Sequence, residues 1–197
     1  ALGYNFDVDE PMGICMVNIG GGSTDIAVCS MNSIIAGVNV GVGGLTIDSA
    51  IEETILEKFK LQIGFGVAEK LKEDVASLYK NDSSRAEVSG IDIETKMAKD
   101  QIVNSADLFS AIEPYYASVV DAIKTVLNNC PPNIVQDVVN GGICLMGGAS
   151  LVTGVEQYFK KMLGINIRVE DYTTAIDVLG AGKLLENNSL LKQYTEI

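Results

Sequence analysis

Short apolar runs and helical repeats alternate along this chain. Three short runs, at residues 14–17, 26–29 and 34–40, lie so close together that they predict antiparallel hairpins. After a glycine break, Ile47, Ile51, Ile55 and Phe59 recur at i, i+4, i+8 and i+12, which is the spacing of one helix face. Similar patterns predict further helices at residues 67–78, 105–128, 133–139, 152–163 and 174–185.

The second half of the chain favours a parallel sheet. Buried strands are predicted at residues 143–146 and 165–169, and each is followed by a helix. Pro114 lies inside the longest helical pattern, where we expect it to kink or split the helix. The polar segment 81–99 contains short β-like pieces and predicts a small satellite subdomain. The first twelve residues are polar and predict a connector that enters the fold from upstream.

Composition narrows the classes of function. The chain has 197 residues, a formal net charge of −12 and no histidine. The missing histidine excludes Ser-His-Asp and Cys-His catalytic units, and His-ligated metals, within this chain. The acidic balance argues against nucleic acid and against an anionic membrane surface as partners. Because the chain starts at Ala1 rather than Met, we expect it to be a piece of a longer protein.

The four cysteines form no C-x-x-C pair and indicate a reducing compartment. There is no signal-peptide pattern, and no apolar run approaches the ~20 residues of a membrane span. We therefore expect a cytoplasmic protein.

Two glycine-rich loops follow predicted strands. The first is Gly20-Gly21-Gly22-Ser23 and the second is Gly147-Gly148-Ala149-Ser150. Glycine lets the backbone approach a phosphate, and successive N–H groups form an anion nest. A single loop of this kind is more often a simple tight turn, but two loops at strand ends favour nucleotide binding. Neither loop matches the P-loop or the dinucleotide G-x-G-x-x-G pattern.

Both loops carry a resemblance to a known superfamily. Residues 19–25, IGGGSTD, resemble the second phosphate-binding hairpin of the actin, sugar-kinase and heat-shock ATPase superfamily. Its adenosine motif is similar to residues 142–151, GICLMGGASL. The connecting stretches, from residues 9–11 through 42–44, 63–64 and 131–132 to 190–192, resemble the MreB family of bacterial actin-like cell-shape proteins.

The resemblance implies a fold and a domain organisation. It implies an α/β, actin-like (ribonuclease H-like) mixed sheet with flanking helices and a small α+β insertion. The chain would be the C-terminal half of the protein, with subdomain IIA at residues 1–65 and 104–197 and subdomain IIB at residues 66–103. The first phosphate loop, the acidic residue that helps to position the attacking water, and any membrane-contacting element would lie in the other half.

The resemblance also implies site residues and cofactors, namely ATP or ADP with Mg²⁺. The β- and γ-phosphates would lie on Gly20, Gly21, Gly22 and Ser23. The α-phosphate and nucleoside would pass close to Gly147 and Gly148, and the ribose close to Gly44. The adenosine would lie beside Glu69 and Lys72. From spacing alone, Glu69 and Lys72 are better explained as an exposed i, i+3 ion pair.

Two positions depart from the family pattern. Asn18 stands where the family has an aspartate that helps to hold hydrated Mg²⁺ and the lytic water. The lost charge predicts weaker metal binding and weaker hydrolysis. Ala149 replaces a third glycine, and two alternatives stay open: its methyl group crowds the nucleotide slightly, or it is harmless.

Three functions remain open from the sequence. The first is a nucleotide-dependent cytoskeletal protein that assembles head-to-tail into filaments with copies of itself. The second is a sugar-kinase-type enzyme or heat-shock-type ATPase of the same superfamily. The third is a degenerate member that binds nucleotide structurally and hydrolyses it poorly, which Asn18 favours.

Overall fold

The computed structural model describes residues 12–31, 33–169 and 175–186, apart from the side chains of 176 and 177. Residues 1–11 of the predicted connector and the stretch 190–192 lie outside these ranges. None of the helices in the described ranges combines the length and the apolar character needed to cross a bilayer.

The elements follow the predicted order closely. The strands in the described ranges are β1 Ile14–Ile19, β2 Thr24–Ser30, β3 Ser33–Val40, β4 Leu61–Gln62, β5 Arg85–Asp92, β6 Ala98–Asn104, β7 Ile143–Met146 and β8 Ile167–Val169. The helices there are α1 Gly44–Phe59, α2 Phe65–Asp74, α3 Ser105–Asn128, α4 Pro132–Gly141, α5 Val155–Leu163 and α6 Ile176–Glu186. A 3₁₀ turn, Gly148–Leu151, follows β7.

The main sheet is mixed, as expected for the fold class. Its five strands run in the order β3-β2-β1-β7-β8. β1, β2 and β3 form the predicted antiparallel hairpins. β7 pairs in parallel with both β1 and β8, which confirms the parallel back half.

The central strand β1 alternates between two apolar clusters because side chains along a strand point to opposite faces. Cys15, Val17 and Ile19 belong to the main core, which also contains residues of α1, α3 and α5. Ile14 and Met16 belong to a second, smaller cluster. By the same alternation Asn18 falls on the side of Ile14 and Met16, at the carboxyl end of the strand.

Helix α3 continues through Pro114 as one element, so the proline does not split the helix, and the alternative of a kink stays a prediction. The physical reason is the packing on either side of it. Pro114 is exposed, whereas Ile112 and Tyr116 are buried in the main core and hold both halves of the helix against the same surface. The hydrogen bond lost at the proline nitrogen therefore lies on the solvent side.

Two strands of a second sheet, β5 and β6, come from the segment predicted as an insertion. Its three strands run antiparallel in the order β4-β5-β6. The first strand, β4, lies before residue 66, and β6 reaches Asn104. The subdomain boundaries at 66 and 103 stay a prediction. Helix α2 ends at Asp74 rather than at residue 78, and Val75 and Leu78 are nevertheless buried in the segment that follows.

We expect Ile51→Ala to lower the free energy of unfolding by about 2–5 kcal/mol, because Ile51 is fully buried where α1 faces the core. Leu56→Ala on the same helix is the matched control, since Leu56 is 37% exposed. Its cost should stay within about 0.5–1 kcal/mol. Denaturant unfolding of the full-length protein measures both, and equal losses would contradict this packing of α1.

Candidate nucleotide site

The first glycine loop joins β1 to β2 in a tight turn. The Gly20 N–H donates to the Ser23 carbonyl at 2.9 Å. A Cβ placed on Gly21 or Gly22 would meet nothing within 4 Å, so this side of the loop is open. Among the described residues, the Gly21 and Gly22 amides donate no backbone hydrogen bond. Two adjacent amides on an open loop are the arrangement that binds anions.

Helix α1 begins directly on this loop. The Gly44 N–H donates to the Gly20 carbonyl at 2.8 Å, and the Leu45 N–H donates to the Gly21 carbonyl at 2.8 Å. A Cβ on Gly43 would lie 2.5 Å from the Gly21 oxygen and 2.7 Å from the Gly20 oxygen, so a side chain would force the two segments apart. The Gly20 and Gly21 carbonyls are thus held by the start of α1, whereas the Gly21 and Gly22 amides donate to no backbone acceptor among the described residues.

The second glycine loop meets the first at one edge of the sheet. In the parallel pairing of β1 with β7, Asn18 lies opposite Met146. Gly147 follows at φ +87 and ψ 157, in a region that other residues rarely adopt. A Cβ there would overlap the Ile19 carbonyl and lie 2.6 Å from Asn18 Oδ1. Gly148, by contrast, is exposed and has open space around it.

Ala149 lies behind the loop. Its side chain belongs to the main core, and its carbonyl accepts a hydrogen bond from the buried Tyr116 hydroxyl at 2.8 Å. The methyl group therefore packs into the core, which favours the harmless alternative over crowding of a nucleotide. Ser150 closes the turn through its hydroxyl, which donates to the Gly147 carbonyl at 2.7 Å.

Lys72 does not form the exposed pair with Glu69 that spacing alone favoured. Glu69 is exposed, whereas Lys72 is buried and its Nζ lies 2.9 Å from Oδ2 of Asp48. The same Nζ lies 3.5 Å from the Gly44 carbonyl, so the ammonium reaches the start of α1. The structure therefore places Lys72 next to the first loop and leaves Glu69 on the surface of α2.

Asp48 is the residue that sequence reasoning missed. It is fully buried on α1, one turn after Gly44. A signal was present, since Asp48 stands between Ile47 and Ile51 on a helix face that was predicted to be apolar. A carboxylate there requires a buried partner, which the sequence pattern does not identify.

Two other titratable groups, Cys15 of β1 and Tyr116 of α3, keep their protons. Burial raises the pKa of the Cys15 thiol to about 12, so it is not a thiolate nucleophile. Burial, and then the nearby Asp48 carboxylate, raise the pKa of Tyr116 well above its usual value. Tyr116 is thus a permanent donor to the Ala149 carbonyl.

Across the described ranges, acidic and thiol side chains form no group of three that could hold a metal ion.

We expect Gly147→Ala to destabilise the protein by about 1–3 kcal/mol or more, because of the close contact with β1 and the unfavourable backbone conformation. Gly148→Ala is the adjacent control and should change stability by less than about 0.5 kcal/mol. Thermal unfolding of the two variants of the full-length protein, without nucleotide, makes the comparison. Similar melting temperatures would contradict the close packing of the two loops.

Nearly the whole chain matches one protein family. The family model described as MreB/Mbl protein matches residues 1–193. The cell shape-determining protein Mbl of Bacillus subtilis (strain 168) is 32% identical over 189 residues, which are 95% of this chain and 56% of that protein. The chain thus spans little more than half the length of this relative.

Solved structures share the fold. The crystal structure of MreB 5 of Spiroplasma citri bound to AMPPNP superposes with a TM-score of 0.90 at 24% identity, over 100% of this chain and 59% of that one. The MamK double helical filament superposes with a TM-score of 0.75 at 23% identity, over 88% of this chain and 54% of that one. The fold is therefore actin-like, and the chain belongs to the MreB/Mbl family.

Proposed function

We propose that the full-length protein is an ATP-binding, actin-like cytoskeletal protein that polymerises into filaments and contributes to cell shape or cytoskeletal organisation. The observation that carries this proposal is the meeting of two glycine loops, with open space at Gly21, Gly22 and Gly148, at the carboxyl ends of adjacent parallel strands. Ligands of α/β sheets bind outside this edge. Family membership supports the same conclusion.

In this proposal each loop contacts a different part of the nucleotide. Gly20, Gly21, Gly22 and Ser23 hold the β- and γ-phosphates, and the open amides of the first loop support this role. The α-phosphate and nucleoside pass over Gly147 and Gly148. Gly44 lies near the ribose, and Glu69 and Lys72 lie near the adenosine. Ala149 supports the second loop from the core instead of facing the ligand.

Mg²⁺ would arrive with the phosphates. The cation commonly binds one or two protein carboxylates, several waters and phosphate oxygens. At the edge between the loops the protein offers the Asn18 amide, which bears no charge, so this chain suits an indirect contact through water. In such a site Mg²⁺ would neutralise charge on the phosphates. The Asn18 amide would orient a water molecule but would not accept a proton from it.

Self-association is the second part of the proposal. Similarity to the MreB/Mbl family and to the MamK filament supports it. Head-to-tail contacts between identical subunits use two different surfaces and therefore generate open filaments. Family membership sets aside the sugar-kinase and heat-shock alternatives. A degenerate member that binds ATP without efficient hydrolysis stays a candidate because of Asn18.

Hydrolysis tests the role of Asn18. We expect the full-length protein to release phosphate slowly and Asn18→Asp to release it about tenfold faster or more, because the carboxylate restores charge at the metal and water. Asn140→Asp, an exposed position on α4, is the control for the added charge. Equal rates for the wild type and Asn18→Asp would show that Asn18 does not limit hydrolysis.

Sedimentation tests assembly. With ATP and Mg²⁺, we expect the full-length protein to pellet above a critical concentration, and to pellet less without nucleotide at the same concentration. The physical reason is that ligand in the cleft selects one arrangement of the two halves. A protein that stays in the supernatant at every concentration, with ATP and without, would contradict the cytoskeletal proposal.

A further inference from the structure

Asp48 is a charged residue deep inside the fold. It is 0% exposed, and its helix α1 starts on the first glycine loop. Burying an unpaired carboxylate is strongly unfavourable, so the surroundings of Asp48 must compensate for its charge. Lys72 of α2 does this, although it lies 24 residues further along the chain.

The pair has a specific geometry. Lys72 Nζ lies 2.8 Å from Oδ1 and 2.9 Å from Oδ2 of Asp48, and the two side chains are 11% and 1% exposed. Only the Oδ2 contact has hydrogen-bond geometry. A weaker contact of 3.5 Å reaches the Gly44 carbonyl. An ammonium has three protons. The hydrogen bonds to Asp48 Oδ2 and to the Gly44 carbonyl use two of them, which leaves one for a group outside the protein.

The position of the ammonium relates it to the ligand. A Cβ on Gly44 would lie 3.2 Å from Nζ and 3.7 Å from the Gly20 carbonyl, so Lys72 reaches the junction of α1 with the first loop. A free lysine side chain has many rotamers, and holding it in one place costs entropy before any ligand binds. The Asp48 carboxylate limits this freedom in advance.

The pair also determines what kind of interaction Lys72 offers. Its charge is balanced within about 3 Å by a carboxylate of opposite sign. Such a pair presents a directed hydrogen-bond donor with little net charge. A nucleoside hydroxyl or ring nitrogen accepts from such a donor, whereas triphosphate recognition depends on net positive charge and on amides.

Resting on the nucleotide binding proposed above, we propose that Asp48 is a positioning residue for the nucleoside part of the ligand. It holds the Lys72 ammonium beside Gly44 and balances its charge. Asp48 itself does not touch the ligand, since its side chain is inaccessible. Its effect on binding therefore passes through Lys72.

A double-mutant cycle tests this assignment. The full-length wild type, Asp48→Asn, Lys72→Met and the double variant are titrated with a fluorescent ATP analogue, and ATP and ADP then compete for it. We expect Asp48→Asn and Lys72→Met each to weaken ATP and ADP by the same factor, on the order of tenfold. In the Lys72→Met background, Asp48→Asn should have no further effect on affinity.

Controls separate binding from folding. Asp74→Asn and Lys70→Met change exposed residues of α2 and should leave affinity unchanged. Thermal unfolding without nucleotide shows whether each variant folds. The double variant removes both buried charges and should recover much of the stability that each single variant loses. If Asp48→Asn does not fold, Lys72→Met and the double variant carry the test: equal affinities support the proposal.

The overturning results are distinct from failure of the proposed function. If the wild type binds neither ATP nor ADP, nucleotide binding itself is wrong. If the wild type binds and Asp48→Asn, once folded, binds equally well, Asp48 does not position the site. If Asp48→Asn lowers affinity by the same factor with and without Lys72, Asp48 acts through the fold in general and the proposal is overturned.

Discussion

Parallel pairing of β1 with β7 is the constraint on which the proposed site depends. It places Asn18 opposite Met146, so that the two strands end together and their glycine loops meet. A shift of one residue in this register would turn Asn18 to the other face of the sheet and separate Gly147 from the Ile19 carbonyl. The contact at Gly147 leaves no room for a side chain, and it brings the ends of the two strands close together.

Helix α1 is the second support of the site. Its first amides hold the Gly20 and Gly21 carbonyls, and one turn later Asp48 holds Lys72. One helix thus connects the first loop with a residue of α2. On the other side, Tyr116 of α3 holds the Ala149 carbonyl behind the second loop. A buried polar contact therefore lies beneath each loop: Asp48 with Lys72 beneath the first, and Tyr116 with the Ala149 carbonyl beneath the second. Because buried polar groups require partners, each of these contacts fixes how its two elements pack together.

Most elements were predictable because their signals are local. Short apolar runs identified most of the strands, period-3.6 patterns identified the helices, and glycine identified the loops. The errors arose where packing prevailed over a local preference. Helix α3 passes through Pro114 because the residues on either side are buried in one core. The apolar pattern of α2 extended past Asp74, although Val75 and Leu78 are buried without being helical.

The sequence by itself determined the order of the elements, the two glycine loops and the membership of the MreB/Mbl family. The reason is that periodicity, glycine positions and motifs are properties of residues that are close together along the chain. Only the tertiary structure decided which charges meet. Glu69 is one helical turn from Lys72 and yet is exposed, whereas Asp48, 24 residues away, is its buried partner. The reason is that burial makes an unpaired charge unfavourable, and burial depends on how α1 and α2 pack.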